Sequence, residues 1–269
     1  MKKLLSLILL LLCAAVVASA GTGIKKKRPL PPDYGQVVMN NYSEKAKIAP
    51  VVFDHWLHRM RYTCRLCHVD VAFMMKAGAT NVKAVDNAKG YYCGTCHNGK
   101  MVVNGKKVFA SCPNNAVLAD SDQKDCKRCH SAGLKNAGKE YDFAKITKGY
   151  PRERFGNGID WEKIEKDGII QLSDFLEGVS IERKPLTVQK DFSMQAKEAG
   201  MPEIIFSHKK HITWNGCELC HPEIFLGVKK GMTKYSMPEI YEGKYCGVCH
   251  GSVAFPLMDC QRCHSKPVQ

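Results

Sequence analysis

The chain has 269 residues, with 40 lysines and arginines against 26 aspartates and glutamates, for a formal net charge of +14. A basic balance of this kind ordinarily suggests nucleic acid or acidic lipid as a partner. After the first twenty residues no segment is apolar and long enough to span a bilayer, and the mature protein is expected to be exported and soluble.

Residues 1–20, `MKKLLSLILLLLCAAVVASA`, have a basic start, a short apolar run and a small-residue end. They read as a signal peptide cleaved before Gly21. An uncleaved anchor is the alternative, and Leu12 argues against a lipoprotein site at Cys13. Residues 21–49 open with `GTGIKKKRPLPPDYG` and read as an extended basic arm. Its Lys25 to Arg28 either dock an acidic partner or are simply solvated. Residues 50–132 begin with the β-branched run `APVVF`, expected as a small strand, and continue into `FDHWLHRMRYTCRLCH`, `GYYCGTCH` and `DCKRCH`. Residues 133–200 contain no cysteine or histidine. Their stretch `NGIDWEKIEKDGIIQLSDFLEGVSI` predicts a short helix near Trp161 and Ile164 with breaks at Gly168 and Gly178, draped over the neighbouring segments. Residues 201–269 repeat the earlier theme with `PEIIF`, `FSHKKHITWNGCELCH`, `GKYCGVCH` and `DCQRCH`.

Twelve of the fourteen cysteines fall into six pairs: Cys64/Cys67, Cys93/Cys96, Cys126/Cys129, Cys217/Cys220, Cys246/Cys249 and Cys260/Cys263. Each pair is followed at once by a histidine, His68, His97, His130, His221, His250 or His264. On one helical turn, residues i, i+3 and i+4 share a face. Two thiols there can form thioethers with the vinyl groups of one haem while the histidine reaches its iron, the c-type attachment. Zinc ribbons also pair such cysteines, and disulfide scaffolds suit an exported chain, but neither explains a histidine after every pair. The expected cofactor is therefore six covalently attached c-type haems. Loss of Lys2 and Lys3 leaves a charge of +12, and six haems bring twelve propionates, about −12 if ionised. The basic residues then balance the cofactor, and nucleic acid is not expected as a partner.

A shift of 153 residues superimposes the two halves, Phe53 on Phe206, His55 on His208 and His58 on His211. The register then changes by 19 residues, because the first half carries an insertion before `DCKRCH`. Four histidines remain outside the motifs: His55, His58, His208 and His211. Two histidines three apart cannot reach one iron from the same side, but they can serve two haems packed against their turn. The competing reading makes them surface or core histidines.

The arrangement Phe-x-His-x-x-His ahead of three Cys-x-x-Cys-His motifs resembles the triheme c7-type class III cytochromes, twice over in tandem. The resemblance implies a mainly α and irregular, haem-dominated fold. Each c7-like module (50–132 and 201–269) would have short helices and a small N-terminal strand or hairpin. It further implies that His55 caps the haem on His68, His58 that on His97, His208 that on His221 and His211 that on His250. Single-domain relatives add a histidine before the middle motif for the last haem. Here that place reads `NAKGYYC` and `IYEGKYC`. Some multidomain relatives use methionine, which makes Met237 a candidate ligand for the haem on His264, or else a core filler. The aligned position in the first half is Ala84. For the haem on His130, Met74, Met75, Met101 and Cys112 remain candidates, as does an open iron.

The expected function is a periplasmic or surface-associated hexahaem carrier of electrons in an anaerobic respiratory chain, without catalysis of its own. Its expected partners are redox proteins, namely a quinol-oxidising membrane complex and other multihaem cytochromes. The alternatives are a multihaem reductase with an open iron at His130, and a haem-wire subunit of a quinol-oxidising complex or of an extracellular filament.

Overall fold

The computed structural model describes residues 28–112, 123–133, 142–184, 190–196, 200–227 and 231–266. The expected signal peptide, Lys25–Lys27, residues 113–122 of the insertion and Lys229–Lys230 lie outside the described residues. The chain divides into Met1–Leu30, whose described residues carry no regular element, and Pro31–Gln269.

The β-branched run before the first histidine pair forms a ladder, as its pattern predicts. Gln36–Met39 (β1) pairs antiparallel with Val51–Asp54 (β2), Val37 opposite Phe53 and Met39 opposite Val51. The chain passes straight from β2 into the helix His55–Arg59 (α1), whose single turn carries both histidines. After the first motif come Ala84–Ala88 (α2) and the small hairpin Val102–Val103 (β3) with Lys106–Lys107 (β4). The helix Gln123–Cys129 (α3) then carries the third motif. His130 lies antiparallel to Val51, so β2 is flanked by β1 on one side and by the third motif on the other.

The stretch without cysteine or histidine forms Phe143–Ile146 (α4) and Trp161–Lys166 (α5). Asp142 and Asp160 cap their N-termini by accepting from the amides of Lys145 and Lys163. The helix expected near Trp161 and Ile164 is α5. Ile159, Trp161, Ile164 and Ile170 are buried against Trp56 and Met60 of the first histidine helix, with Trp214 from the second half packed at the edge. The segment thus packs against both histidine helices. Among the described residues ten apolar side chains are buried, few for a chain of 269 residues.

The second half rebuilds the first. Phe192–Met194 (β5) pairs antiparallel with Glu203–Phe206 (β6), Phe192 opposite Phe206 and Met194 opposite Ile204. Helix His208–Asn215 (α6) follows, capped by Ser207. Met237–Tyr241 (α7), Gly247–His250 (α8) and Cys260–Cys263 (α9) lead to His264–Lys266 (β7), which pairs with β6. In both halves the first strand of the ladder comes from the stretches expected as arm and connector. Helices α2 and α7 end hard against the middle motifs. A β-carbon on Gly94 would run into the Asn87 carbonyl, and one on Gly247 into that of Ile240, so glycine is required at both repeated positions. The tyrosines just ahead, Tyr92 and Tyr245, both hold a left-handed backbone, φ 49° and 51°. Such strain costs about 1–3 kcal/mol and collects where a site fixes the chain.

Candidate metal centres

A metal-binding imidazole ordinarily fixes its second nitrogen by a hydrogen bond, which sets tautomer and ring orientation. The histidines are built this way. His68, His221 and His250 each place Nδ1 on a carbonyl four or five residues onward, Phe73 (2.8 Å), Phe225 (2.9 Å) and Phe255 (3.0 Å). His58 and His211 turn back one helical turn to Asp54 (3.3 Å) and Ser207 (2.8 Å). His55 and His208 reach the residues ahead of the first strands, Gly35 (2.5 Å) and Lys190 (3.2 Å). His130 and His264 reach the lead-ins to β2 and β6, Ala49 (2.7 Å) and Pro202 (2.9 Å). At His97, Nδ1 is buried and lacks a well-formed hydrogen bond among the described residues. Each carbonyl takes an N–H from Nδ1 and so leaves Nε2 with a lone pair.

Two imidazoles bonded to one iron through Nε2, each about 2 Å from the metal, put their ring centres about 6.3 Å apart. His55 and His68 lie 6.4 Å apart and nearly parallel, at 9°. His58 and His97 lie 6.2 Å apart, and His211 and His250 6.1 Å apart. These are three of the four pairs that the resemblance implies. Among the described residues His208 and His221 do not form such a ring pair, although both are anchored. His130 and His264 have no histidine opposite them.

The surroundings favour uncharged groups. Burial lowers the basicity of His58 and His250, to a pKa of about 4 in each case, which keeps the imidazoles neutral as a metal requires. Burial also pushes the thiols of Cys67, Cys93 and Cys249 up to about 12, and those of Cys129, Cys220 and Cys263 up to about 11. Zinc would need thiolates, whereas a thioether is the neutral form of sulfur that this environment suits. Cys64, Cys96 and Cys246 are likewise raised by burial. Cys126 and Cys217 are half-buried and Cys260 is exposed. A cavity of about 3380 Å³ runs past His55, His58, His68, His97, His130, His211 and His250. It is several times the 300–1,000 Å³ of an ordinary ligand pocket, a size that fits several prosthetic groups.

The first and fourth motifs meet directly. Arg183 binds Asp70, two residues after His68, at 2.6 Å and Glu218, inside the fourth motif, at 2.8 Å. The Arg65 side chain, inside the first motif, is ion-paired with Asp174 and packs against Gly216 just before Cys217. Arg59, one residue after His58, stacks between Trp161 and Trp214, its guanidinium carbon 4.7 and 4.9 Å from the ring centres. It donates to the Val253 carbonyl, three residues after His250. None of these junction contacts has a spacing signature, and the sequence reading passed over them.

Met237 opens α7 and is 37 % exposed. Met74 is 61 % exposed. Cys112 accepts a weak hydrogen bond from Asn87 at 3.6 Å.

Paired, tautomer-fixed imidazoles beside paired buried thiols define a scaffold for haems of the c type. The model of the family described as cytochrome c7 and related cytochrome c matches residues 51–131 and 204–265. These spans make up more than half of the chain, and the chain belongs to that family. Among solved structures, a c7-type three-heme cytochrome domain is 35 % identical over 30 % of this chain and 99 % of that one, with a TM-score of 0.27. The C-terminal hexaheme fragment of GSU1996 is 24 % identical over 88 % of this chain and 98 % of that one, with a TM-score of 0.25. Dodecaheme cytochrome c GSU1996 is 24 % identical over 85 % of this chain and 73 % of that one, also with a TM-score of 0.25. No curated protein sequence matches the chain. Among the described residues no helix is long and apolar enough to cross a membrane.

Proposed function

We propose that this multihaem c-type cytochrome is a six-haem electron carrier built as two triheme modules, residues 50–132 and 201–269. The observation that carries the reading is the set of ring pairs His55/His68, His58/His97 and His211/His250 at 6.1–6.4 Å. The twelve motif cysteines hold the porphyrins, and the six motif histidines are the proximal ligands. His55, His58, His208 and His211 are the distal ligands of four irons. Bound haem supplies a one-electron couple at iron. The protein's residues would complete the coordination of those four irons and hold the imidazoles neutral. The first motif adjoins the fourth through Arg183 and Arg65, and Arg59 beside His58 adjoins the fifth through Val253, so the proposed crossing between modules falls among these motifs and not at the third, which the sequence order would suggest. The signal-like residues 1–20 support export to the periplasm or cell surface, and redox proteins of an anaerobic respiratory chain are the proposed partners.

The absence of a histidine opposite His130 favours a second reading, a reductase with an open iron at that site. Magnetic and optical spectroscopy separates the two. The carrier reading expects six low-spin, six-coordinate irons and a spectrum unmoved by nitrite or cyanide. A high-spin iron that binds either ion would favour the reductase.

A further inference from the structure

Arg65, Arg183 and Arg262, which tie the two halves to the segment between them, each meet a carboxylate: Asp174, the pair Asp70 and Glu218, and Glu153. Arg59 stands among them without one. Its Nη1 donates to the Val253 carbonyl at 3.1 Å, and its Nε is buried with no partner among the described residues. The carboxylates whose charge reaches it, Glu153 and Glu165, are engaged by Arg262 and by the indole N–H of Trp214. A guanidinium stays charged in a protein, and a cation withdrawn from water needs a partner. The stack on Trp161 and Trp214 eases that cost but cancels no charge. Arg59, Trp161, Trp214 and Val253 all line the large cavity.

We propose that Arg59 receives a haem propionate in this cavity and is the cation shared by the iron sites at His68 and His250, across the junction of the two halves. The proposal rests on the six-haem reading. Burial dominates the surroundings of His55, Cys64, Cys249 and His250, and the Arg59 charge acts on all four, so it sits between the site of the first motif and that of the fifth. The carboxylate comes from one of these two haems. A shift of 153 residues places Ile212 where the second half would repeat the arginine, so Arg59 belongs to the junction and not to the module. Ferric iron carries one more positive charge than ferrous iron, and a fixed cation nearby disfavours it, which raises the reduction potential. Loss of Arg59 removes that charge and leaves the propionate uncompensated, and both effects lower the potential.

The test uses the natively matured holoprotein and its Arg59→Met, Arg59→Gln and Arg59→Lys variants. The first two remove the charge, one with an apolar chain that packs between the indoles and one with a polar chain, so that failure of either to mature leaves the other to read. Lysine keeps the charge. Intact mass gives the haem count, a redox titration followed by nuclear magnetic resonance reads each couple, and resonance Raman reads the propionate bending bands. The neutral variants should keep every haem, lower the couples at His68 and His250, leave the other couples in place and shift one propionate band. The couple that falls further names the haem that supplies the carboxylate. Arg59→Lys should hold both couples near their wild-type values. Couples unmoved in the neutral variants, all couples moved together, or a lysine variant that shifts as far as the neutral ones would overturn the shared cation. Moved couples with every propionate band unchanged would overturn the propionate as its partner. A wild-type mass short of six haems would overturn the six-haem reading instead.

Discussion

His58 carries two constraints at once. Its Nδ1 is tied to the Asp54 carbonyl one turn back, and its ring faces His97 at 6.2 Å. Replacing it by alanine should leave every haem attached, since the thioethers are untouched, and turn one iron high-spin. An unaltered electron paramagnetic resonance spectrum would remove His58 from the ligand set. Tyr34 acts on stability. Its hydroxyl donates to the Ala254 carbonyl at 2.5 Å, and burial pushes its pKa up to about 12. The unfolded chain ionises at about 10, so the fold binds the extra proton between these values. Stability from this group is therefore present below pH 10 and lost as pH rises from 10 to 12. Tyr34→Phe should flatten that part of the pH dependence, measured as the difference between the two denaturation curves. At this scale the sequence was most informative. The twelve cysteines, the six motif histidines and the four spare ones stand out by spacing, because covalent attachment and helical geometry fix i, i+3 and i+4.

At the scale of elements, the histidine helices and the strands before them were legible from β-branched runs and from the histidine spacing. The partners of those strands were not, since β1 and β5 are three or four residues long and lack a pattern of their own. The helix predicted near Trp161 and Ile164 formed, over Trp161–Lys166, but its role depends on tertiary contacts. Ile164 is fully buried among Trp56, Met60 and Trp161, where it ties the histidine helix to the haem-free segment. Ile164→Ala should lower unfolding free energy by about 2–5 kcal/mol, measured by denaturant titration of the holoprotein, with haem count and spin state unchanged. An equally stable variant would mean that this cluster does not hold the segment in place.

Among the described residues the apolar core is small and centres on Trp56 and Trp161, and in the proposed reading the haems supply the rest of the apolar interior. In the proposed six-haem reading the propionates, about −12 if ionised, balance most of the net charge of +14. The junction of first and fourth motifs through Arg183 makes the two halves one electrical unit in the proposed reading, and nothing in the spacing of the motifs foretold it. Intact mass spectrometry of the natively matured protein tests the central claim most directly. The account predicts a chain beginning at Gly21 that carries six haem masses. A red-coloured product with fewer haems would contradict the count, and a colourless one with the mass of its amino acids alone would contradict the account entirely.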